Sequence, residues 1–128
     1  MWSIYAERMT PQPANAQGVN EVYEVLLLAA VRRHPLAAIY DGLPRLFCPH
    51  VLGRREGRLR ALCYQFGGVS KHGLETGGWR CLAVEKLSQV ERCADEWHTE
   101  PRSGQQTCIE EIDYAVGAQP EPKPQNGQ

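Results

Sequence analysis

The sequence predicts a mainly β protein with one N-terminal helix, in which the strands form a small, bent antiparallel sheet or barrel. Three observations support this prediction. Apolar residues follow a helical period only over residues 20–33. After Pro35 the period changes to short alternating stretches, separated by glycines or charged residues. The chain has 128 residues, which suffices for one domain with one modest core.

The folded domain is expected over residues 20–116. Residues 1–19 are rich in Pro, Gln and Asn toward their end and are interpreted as an N-terminal arm. Residues 117–128 contain three prolines and no aromatic or branched aliphatic residue, which predicts a disordered tail. The chain has neither an apolar run of membrane-spanning length nor a secretory signal pattern. We therefore expect a cytoplasmic protein that makes no membrane contact.

The helix is predicted from Asn20 to Arg33. Asn20 is a favourable N-cap residue, and Glu21 suits the positive end of the helix dipole. Pro35 cannot continue a helix and therefore ends the segment. The apolar positions recur at helical spacing and predict one buried stripe, which consists of Val22, Val25, Leu26 and Ala29.

The remainder of the domain is predicted to consist of short strands. Asp41-Gly42 is typical of a tight turn, and residues 53–57 are expected to form a charged hairpin loop. Residues 67–78 carry five glycines and predict a long mobile loop that could serve as a lid. Residues 94–106 are expected to be irregular. The five predicted strands cover residues 36–40, 45–52, 58–66, 79–87 and 108–116.

The charges are unevenly distributed along the chain. Between Arg32 and Arg92 there are eleven basic and five acidic residues, whereas the rest of the chain holds three basic and ten acidic residues. A basic body of this kind can hold an anion, such as a phosphate or a nucleic acid backbone. The alternative is that the acidic flanks fold over the basic body, and the pattern does not choose between the two.

The five cysteines include no C-x-x-C pair, and their number is odd. Both facts favour reduced, mostly buried thiols. No metal and no cofactor is predicted. A zinc site assembled from separate strands is the less favoured alternative, because structural zinc sites usually draw on paired ligands. It would draw on Cys48, His50, Cys63, Cys81, Cys93, His98 and Cys108.

From the helix to Glu91, the chain resembles a WYL domain in the order of its parts. A strand ending in tyrosine (AAIY, residues 37–40) follows the helix, and an Arg-to-Pro strand (RLFCP, 45–49) follows a glycine turn. A charged hairpin then leads to RLRALCYQF (58–66) and, after a loop, to WRCLAVEKLSQVE (79–91). The Trp-Tyr-Leu tripeptide from which the family takes its name is replaced by other residues within 61–64.

The resemblance implies an SH3-like or Sm-like barrel that senses a ligand in a basic, aromatic pocket. Such domains usually follow a DNA-binding helix-turn-helix in bacteria and regulate transcription or defence systems. Residues 1–19 are too few and too rich in proline for that motif, so a solitary sensing domain is expected. The implied partner is a nucleotide or an oligonucleotide, with contact to nucleic acid and homodimer formation both left open.

The predicted ligand-binding residues follow from the resemblance and from side-chain chemistry. Arg45 and Arg80 match the family's pocket arginines, and a guanidinium can grip a phosphate through two parallel hydrogen bonds. His50 and Lys86 are expected to support them. Tyr40 and Tyr64 are expected to stack on a base or to close the pocket. The alternative is that Arg80 and Lys86 are ordinary exposed strand residues and that the tyrosines are structural.

A second basic cluster lies on the predicted hairpin and consists of Arg54, Arg55, Arg58 and Arg60. It is interpreted as a solvated loop, or as a second contact if the ligand is an extended nucleic acid.

No nucleophile with a recognisable base and orienting group is apparent, so covalent catalysis is not predicted. The favoured function is therefore a ligand-binding module. A small hydrolase or nuclease that uses His50 or His72 as an acid–base group is the alternative. An interaction protein that uses the N-terminal arm and Trp97 is a third reading.

Overall fold

The structure is a computed structural model, and it describes residues 18–70, 73–74, 77–102 and 104–117. Most of the predicted arm and of the predicted tail lies outside the described residues, as does His72. The described elements are the helix α1 (Val19–Arg32), the strands β1 (Leu36–Tyr40), β2 (Leu43–Arg55), β3 (Arg58–Ser70), β4 (Gly73–Leu74) and β5 (Gly78–Ala83), a 3₁₀ turn (Val84–Lys86), and the strands β6 (Leu87–Arg92) and β7 (Glu111–Ala115).

Helix α1 begins one residue earlier than predicted. Its N-cap is Gly18 rather than Asn20, and the backbone N–H of Gly18 donates to the Glu21 carboxylate at 3.1 Å. Arg33 ends the helix in a left-handed conformation, with a φ of 58°. The predicted stripe is confirmed, with Val25 only partly buried, and the buried set is extended by Tyr23 and Ala30.

The prediction of a mainly β fold with one N-terminal helix is confirmed. All strand pairs are antiparallel, and the main path of the sheet runs β4-β3-β2-β1-β6. Strand β5 pairs with the first half of β3, and β7 pairs with the second half of β2. Among the described strands the pairing leaves the sheet open, so a closed barrel stays a prediction.

Two tight turns connect the long strands of the sheet. Asp41 and Gly42 have φ angles of 55° and 84°, and Glu56 and Gly57 have φ angles of 53° and 78°. Two consecutive positive φ angles define the hairpin turn whose twist matches that of the flanking strands. The Asp41-Gly42 turn is thereby confirmed. The predicted loop over 53–57 is shorter than expected, because β2 continues to Arg55 and β3 begins at Arg58.

Two sequence predictions for this part of the chain are wrong. The predicted strand over 79–87 ends at Ala83, turns through Val84–Lys86 and continues as β6, which pairs with β1. The predicted loop over 67–78 is partly strand, because β3 runs to Ser70 and its residues Gly67 and Gly68 pair with the start of β2. Backbone hydrogen bonds to a neighbouring strand thus outweigh the weak strand propensity of glycine.

The main core lies between α1 and the inner face of the sheet. Its largest fully buried side chains include Leu26 of the helix, Phe47 and Leu52 of β2, and Leu82 of β5. The phenolic O–H of Tyr23 donates to the Asp113 carboxylate at 2.6 Å, which joins the helix to β7. Within the described residues, no helix is long and apolar enough to span a bilayer.

The prediction that all cysteines are reduced is wrong for two of the five. Cys81 of β5 and Cys108 form a disulfide across 27 positions of sequence. Strand β5 and the segment before β7 lie side by side, and no local sequence spacing signals such a contact. Cys48 and Cys63 are buried free thiols, as predicted, and Cys93 is a free, half-buried thiol. Burial raises the pKa of Cys48 to about 11, so this thiol stays protonated and unreactive.

Candidate functional site

The outer face of the β3–β5 pair is the face turned away from the main core. Ala61 and Cys63 of β3 belong to the core, so side-chain alternation places Arg60, Leu62 and Tyr64 on the outer face. Leu62 and Tyr64 stand opposite Cys81 and Trp79 of β5, respectively.

An irregular segment covers this face, and we call it the cap (residues 97–102 and 104–109). The Cys81–Cys108 disulfide attaches the cap covalently to β5. The His98 backbone N–H donates to the Cys48 sulfur at 3.3 Å, and the His98 ring stacks on Phe66 at 4.3 Å between ring centres. At the far end of the cap, a guanidinium N–H of Arg55 donates to the backbone carbonyl of Thr107.

Between the cap and the outer face lies a cleft of about 710 Å³, which we call the arginine cleft. Its sheet wall contains Arg55, Arg60 and Trp79, and its cap wall contains Arg102 and residues 105–107. Among the described residues that line it, no carboxylate is present. The nearest described acid to Arg55 is Glu110, whose Oε2 lies 4.0 Å from Arg55 Nη1, and both side chains are exposed. The cleft therefore concentrates positive charge.

Two buried polar atoms of the cleft residues have no partner. The Nη1 atom of Arg60 and the Nε1 atom of Trp79 are buried and make no hydrogen bond. A buried donor without an acceptor costs free energy, so such atoms are rare unless a ligand or water completes them. The guanidinium carbon of Arg102 lies 5.4 Å from the centre of the Trp79 ring, which holds this cation at the cleft wall.

His50 lies beside the cleft on an irregularity of β2. The register with β3 shifts between Pro49 and Val51, so His50 is the extra residue of a β-bulge. The residue is 94% buried, and its ring has Trp79 at 4.7 Å and Trp97 at 4.9 Å between ring centres. Nδ1 lies 2.8 Å from the Cys48 carbonyl oxygen, and Nε2 is buried without a partner. Because a carbonyl only accepts, the hydrogen bond assigns the proton to Nδ1 and leaves a lone pair on Nε2.

Stability should fall as the pH drops below 6.5, and His50 should account for part of the loss. Burial lowers the pKa of His50 from its ordinary value of 6.5, and the charges of Arg102 and Arg33 lower it further. The hydrogen bond to the Cys48 carbonyl raises this pKa, but by less than burial lowers it. Below pH 6.5, His50 therefore binds a proton more readily in the unfolded chain than in the folded chain. The free energy of unfolding decreases as a result.

The measurement is the change in melting temperature between about pH 7.5 and about pH 5.5, for the native chain and for His50→Phe. We expect a smaller change in the variant. His34, whose pKa is also lowered, contributes to both proteins equally. An equal pH dependence in the two proteins would contradict the role of His50.

Arg45 and Tyr40 come together, but away from the arginine cleft. Arg45 is buried, its Nη1 donates to Gln65 at 3.0 Å, and its guanidinium carbon lies 5.1 Å from the centre of the Tyr40 ring. Its Nε atom has no partner. Arg45 lines a separate cavity of about 370 Å³, whose lining also includes Glu91. Tyr40 accepts a hydrogen bond from the Ala83 backbone at 3.1 Å and is thus partly structural.

The other predicted ligand-binding residues are spread over different surfaces. Arg80 stands opposite Cys63 and so lies on the core face of β5, where its Nη1 donates to the Trp79 carbonyl at 3.0 Å. Tyr64 lies on the outer face with its ring 5.3 Å from that of Trp79. Lys86 is exposed in the 3₁₀ turn. The six side chains therefore do not form one pocket: Tyr64 and His50 adjoin the arginine cleft through Trp79, and the others lie elsewhere.

Two residues of the cleft, Arg102 and Trp79, could not be assigned to it by sequence reasoning. Arg102 lies in a stretch without any apolar period, and nothing in the sequence places it over Trp79. Neighbouring residues of a strand point to opposite faces, which separates Trp79 from Arg80, but nothing in the sequence of the strand indicates that a cap covers the Trp79 side. Within the described part of the chain, no three His, Cys, Asp or Glu side chains come together as a metal site would require.

Comparison with protein-family models, with curated proteins and with solved structures gives no significant match for this chain.

Proposed function

We propose that the protein binds a phosphate-bearing ligand, a nucleotide or single-stranded nucleic acid, in the arginine cleft. The observation that carries the proposal is the convergence of Arg55, Arg60 and Arg102 on one cleft without a carboxylate among its described lining residues. Guanidinium groups that share a cleft repel one another, and an anion offsets that repulsion. A phosphate also accepts the two parallel hydrogen bonds that a guanidinium offers.

The aromatic side chains favour a nucleotide over a simple anion. Trp79 lies in the wall of the cleft beside the three arginines, and Tyr64 is next to it. Stacking of a base on an aromatic ring is tolerant of sequence and strengthens binding to single strands. The WYL-like order of the sequence elements supports the same ligand class, together with a regulatory role in a bacterial transcription or defence system.

The proposed cellular location is the cytoplasm, and a count of free thiols tests it. The sequence predicts the cytoplasm, where disulfides are rare, whereas the Cys81–Cys108 bond is typical of oxidising compartments. Trapping of free thiols in intact cells would decide it, because a cytoplasmic chain should carry five reactive cysteines after denaturation.

Arg60→Ala should weaken binding of adenosine triphosphate or of a short single-stranded oligonucleotide by about ten- to a hundredfold. A hydrogen bond to a charged group contributes about 1.5–3 kcal/mol, which corresponds to that range. Arg58→Ala is the matched control, because Arg58 is an exposed residue of the same hairpin and pairs with Glu85 at 3.2 Å. It should bind nearly as well as the native chain.

Titration calorimetry at low salt measures both variants, and thermal unfolding checks that each is folded. Binding by the native chain should weaken steeply as salt is added. If the native chain binds none of adenosine triphosphate, oligonucleotide and tripolyphosphate at low salt, or if Arg60→Ala binds as tightly as Arg58→Ala, the proposal is wrong.

A small hydrolase or nuclease is the second candidate, and His50 is the observation that favours it. A neutral imidazole with a free lone pair next to an arginine is a suitable general base for phosphoester cleavage. The test is to incubate the native chain and His50→Phe with single-stranded and cyclic oligonucleotides and to follow the products by chromatography. Cleavage by the native chain that is lost in the variant would support this candidate.

A further inference from the structure

A second, smaller cavity of about 250 Å³ adjoins the arginine cleft, and we call it the His50 pocket. Its walls include His50, Thr99 and Glu100. Trp79 and Arg102 line both cavities, so the two share a boundary at this pair of side chains. A ligand with its phosphates on Arg102 would have its uncharged end within reach of the His50 pocket.

The His50 pocket contains a hydrogen-bond acceptor with no described donor. The Cys48 carbonyl fixes the Nδ1–H tautomer of His50, so Nε2 offers only a lone pair. That atom is buried without a partner, in a residue that is 94% buried. The β-bulge at His50 is what turns this side chain toward Trp79 and Trp97 rather than into the regular ladder.

The neighbouring ring of Trp79 carries an unpaired hydrogen-bond donor. Trp79 Nε1 can only donate and is also buried without a partner, and its ring centre is 4.7 Å from that of His50. The unpaired acceptor is His50 Nε2 and the unpaired donor is Trp79 Nε1. A ligand would satisfy both if it carried a hydrogen-bond donor next to an acceptor. The amino edge of adenine or cytosine has this pattern, with an exocyclic N–H next to a ring nitrogen.

We propose that the His50 pocket is a base-reading subsite, in which His50 Nε2 accepts a hydrogen bond from the amino group of a nucleobase while the phosphates lie in the arginine cleft. This inference rests on the proposed function and deepens it. It assigns the ligand as a nucleotide with an amino-bearing base, and it gives His50 a binding role that needs no bond cleavage.

The experiment compares four triphosphates by titration calorimetry on the native full-length chain. These are adenosine, cytidine and purine riboside triphosphates, together with inorganic tripolyphosphate. Purine riboside has the shape and ring nitrogens of adenosine but lacks the amino group. We expect adenosine or cytidine triphosphate to bind at least about tenfold more tightly than purine riboside triphosphate. Tripolyphosphate should bind through the arginine cleft alone.

His50→Phe keeps a ring of similar bulk but removes the acceptor, so it should bind all three nucleotides equally and leave tripolyphosphate binding unchanged. His98→Phe is the matched control, because His98 is exposed and stacks on Phe66 outside the pocket. It should keep the preference of the native chain.

The native chain alone decides the question if His50→Phe does not fold. If purine riboside triphosphate binds as tightly as both amino-bearing nucleotides, the subsite is refuted, while the proposed function stands as long as the triphosphates bind. If no triphosphate binds, the subsite is refuted, and the proposed function is refuted with it only when the single-stranded oligonucleotide does not bind either.

Discussion

Phe47→Ala should lower the free energy of unfolding by about 3–5 kcal/mol, the range typical of removing a buried aromatic ring. Phe47 is fully buried in the main core on the central part of β2. Its loss leaves a cavity that the surrounding strands cannot fill, because β2 is paired on both edges along much of its length.

Chemical denaturation of the native chain and the variant measures this effect as a shift of the unfolding midpoint. Leu28→Ala serves as the control, because Leu28 is 50% exposed on the helix and should change stability by less than about 0.5 kcal/mol. A loss below about 1 kcal/mol for Phe47→Ala would contradict the described core.

Removing the Cys81–Cys108 disulfide should cost about 2–4 kcal/mol of stability. The bond closes a chain segment of 27 positions, and opening it returns conformational freedom chiefly to the unfolded chain. The double variant Cys81→Ser with Cys108→Ser should therefore melt at a lower temperature than the native oxidised chain. It should also bind tripolyphosphate more weakly, because Cys108 attaches the cap wall of the arginine cleft to the sheet wall.

The control for the disulfide is Cys93→Ser, which removes a free thiol and should melt close to the native chain. A reducing agent should lower the melting temperature of the native chain and of Cys93→Ser, but not that of the double variant. If the reducing agent leaves the native melting temperature unchanged, the disulfide contributes nothing and the prediction is wrong.

The parts of the fold that the sequence predicted are those set by local chemistry. The helix period around Leu26 and the positive-φ preference of the Asp41-Gly42 turn are both local, and both are confirmed. The break of the fourth predicted strand at Val84 was missed, because residues 79–87 contain neither a glycine nor a proline that would indicate a corner. Tertiary pairing of β6 with β1 decides that corner, and no local residue pattern records it.

The candidate site was less accessible to sequence reasoning than the fold. The basic hairpin indicated that Arg55 and Arg60 could contact an anion, which is part of the proposed site. The contribution of Arg102 depends on the cap, and the position of the cap depends on a disulfide between distant residues. Arg45 was chosen for its chemistry and its family position, but it is buried beside Gln65 in a different cavity.

The bulge at His50 also determines which changes of length β2 can accept. Phe47 and Leu52 both lie in the main core, although their spacing of five would place them on opposite sides of a regular strand. The bulge takes up the extra residue at position 50, so the two halves of the strand keep the same face toward one core. Substituting His50 would change the chemistry and packing of the His50 pocket without changing the number of residues in β2. Deleting it would make Pro49 and Val51 neighbours opposite Cys63 and Leu62, so residues 51–55 would keep their partners on β3 and Leu52 would stay in the core. At this point of the chain, the extra residue is needed by the His50 pocket and not by the register of the sheet.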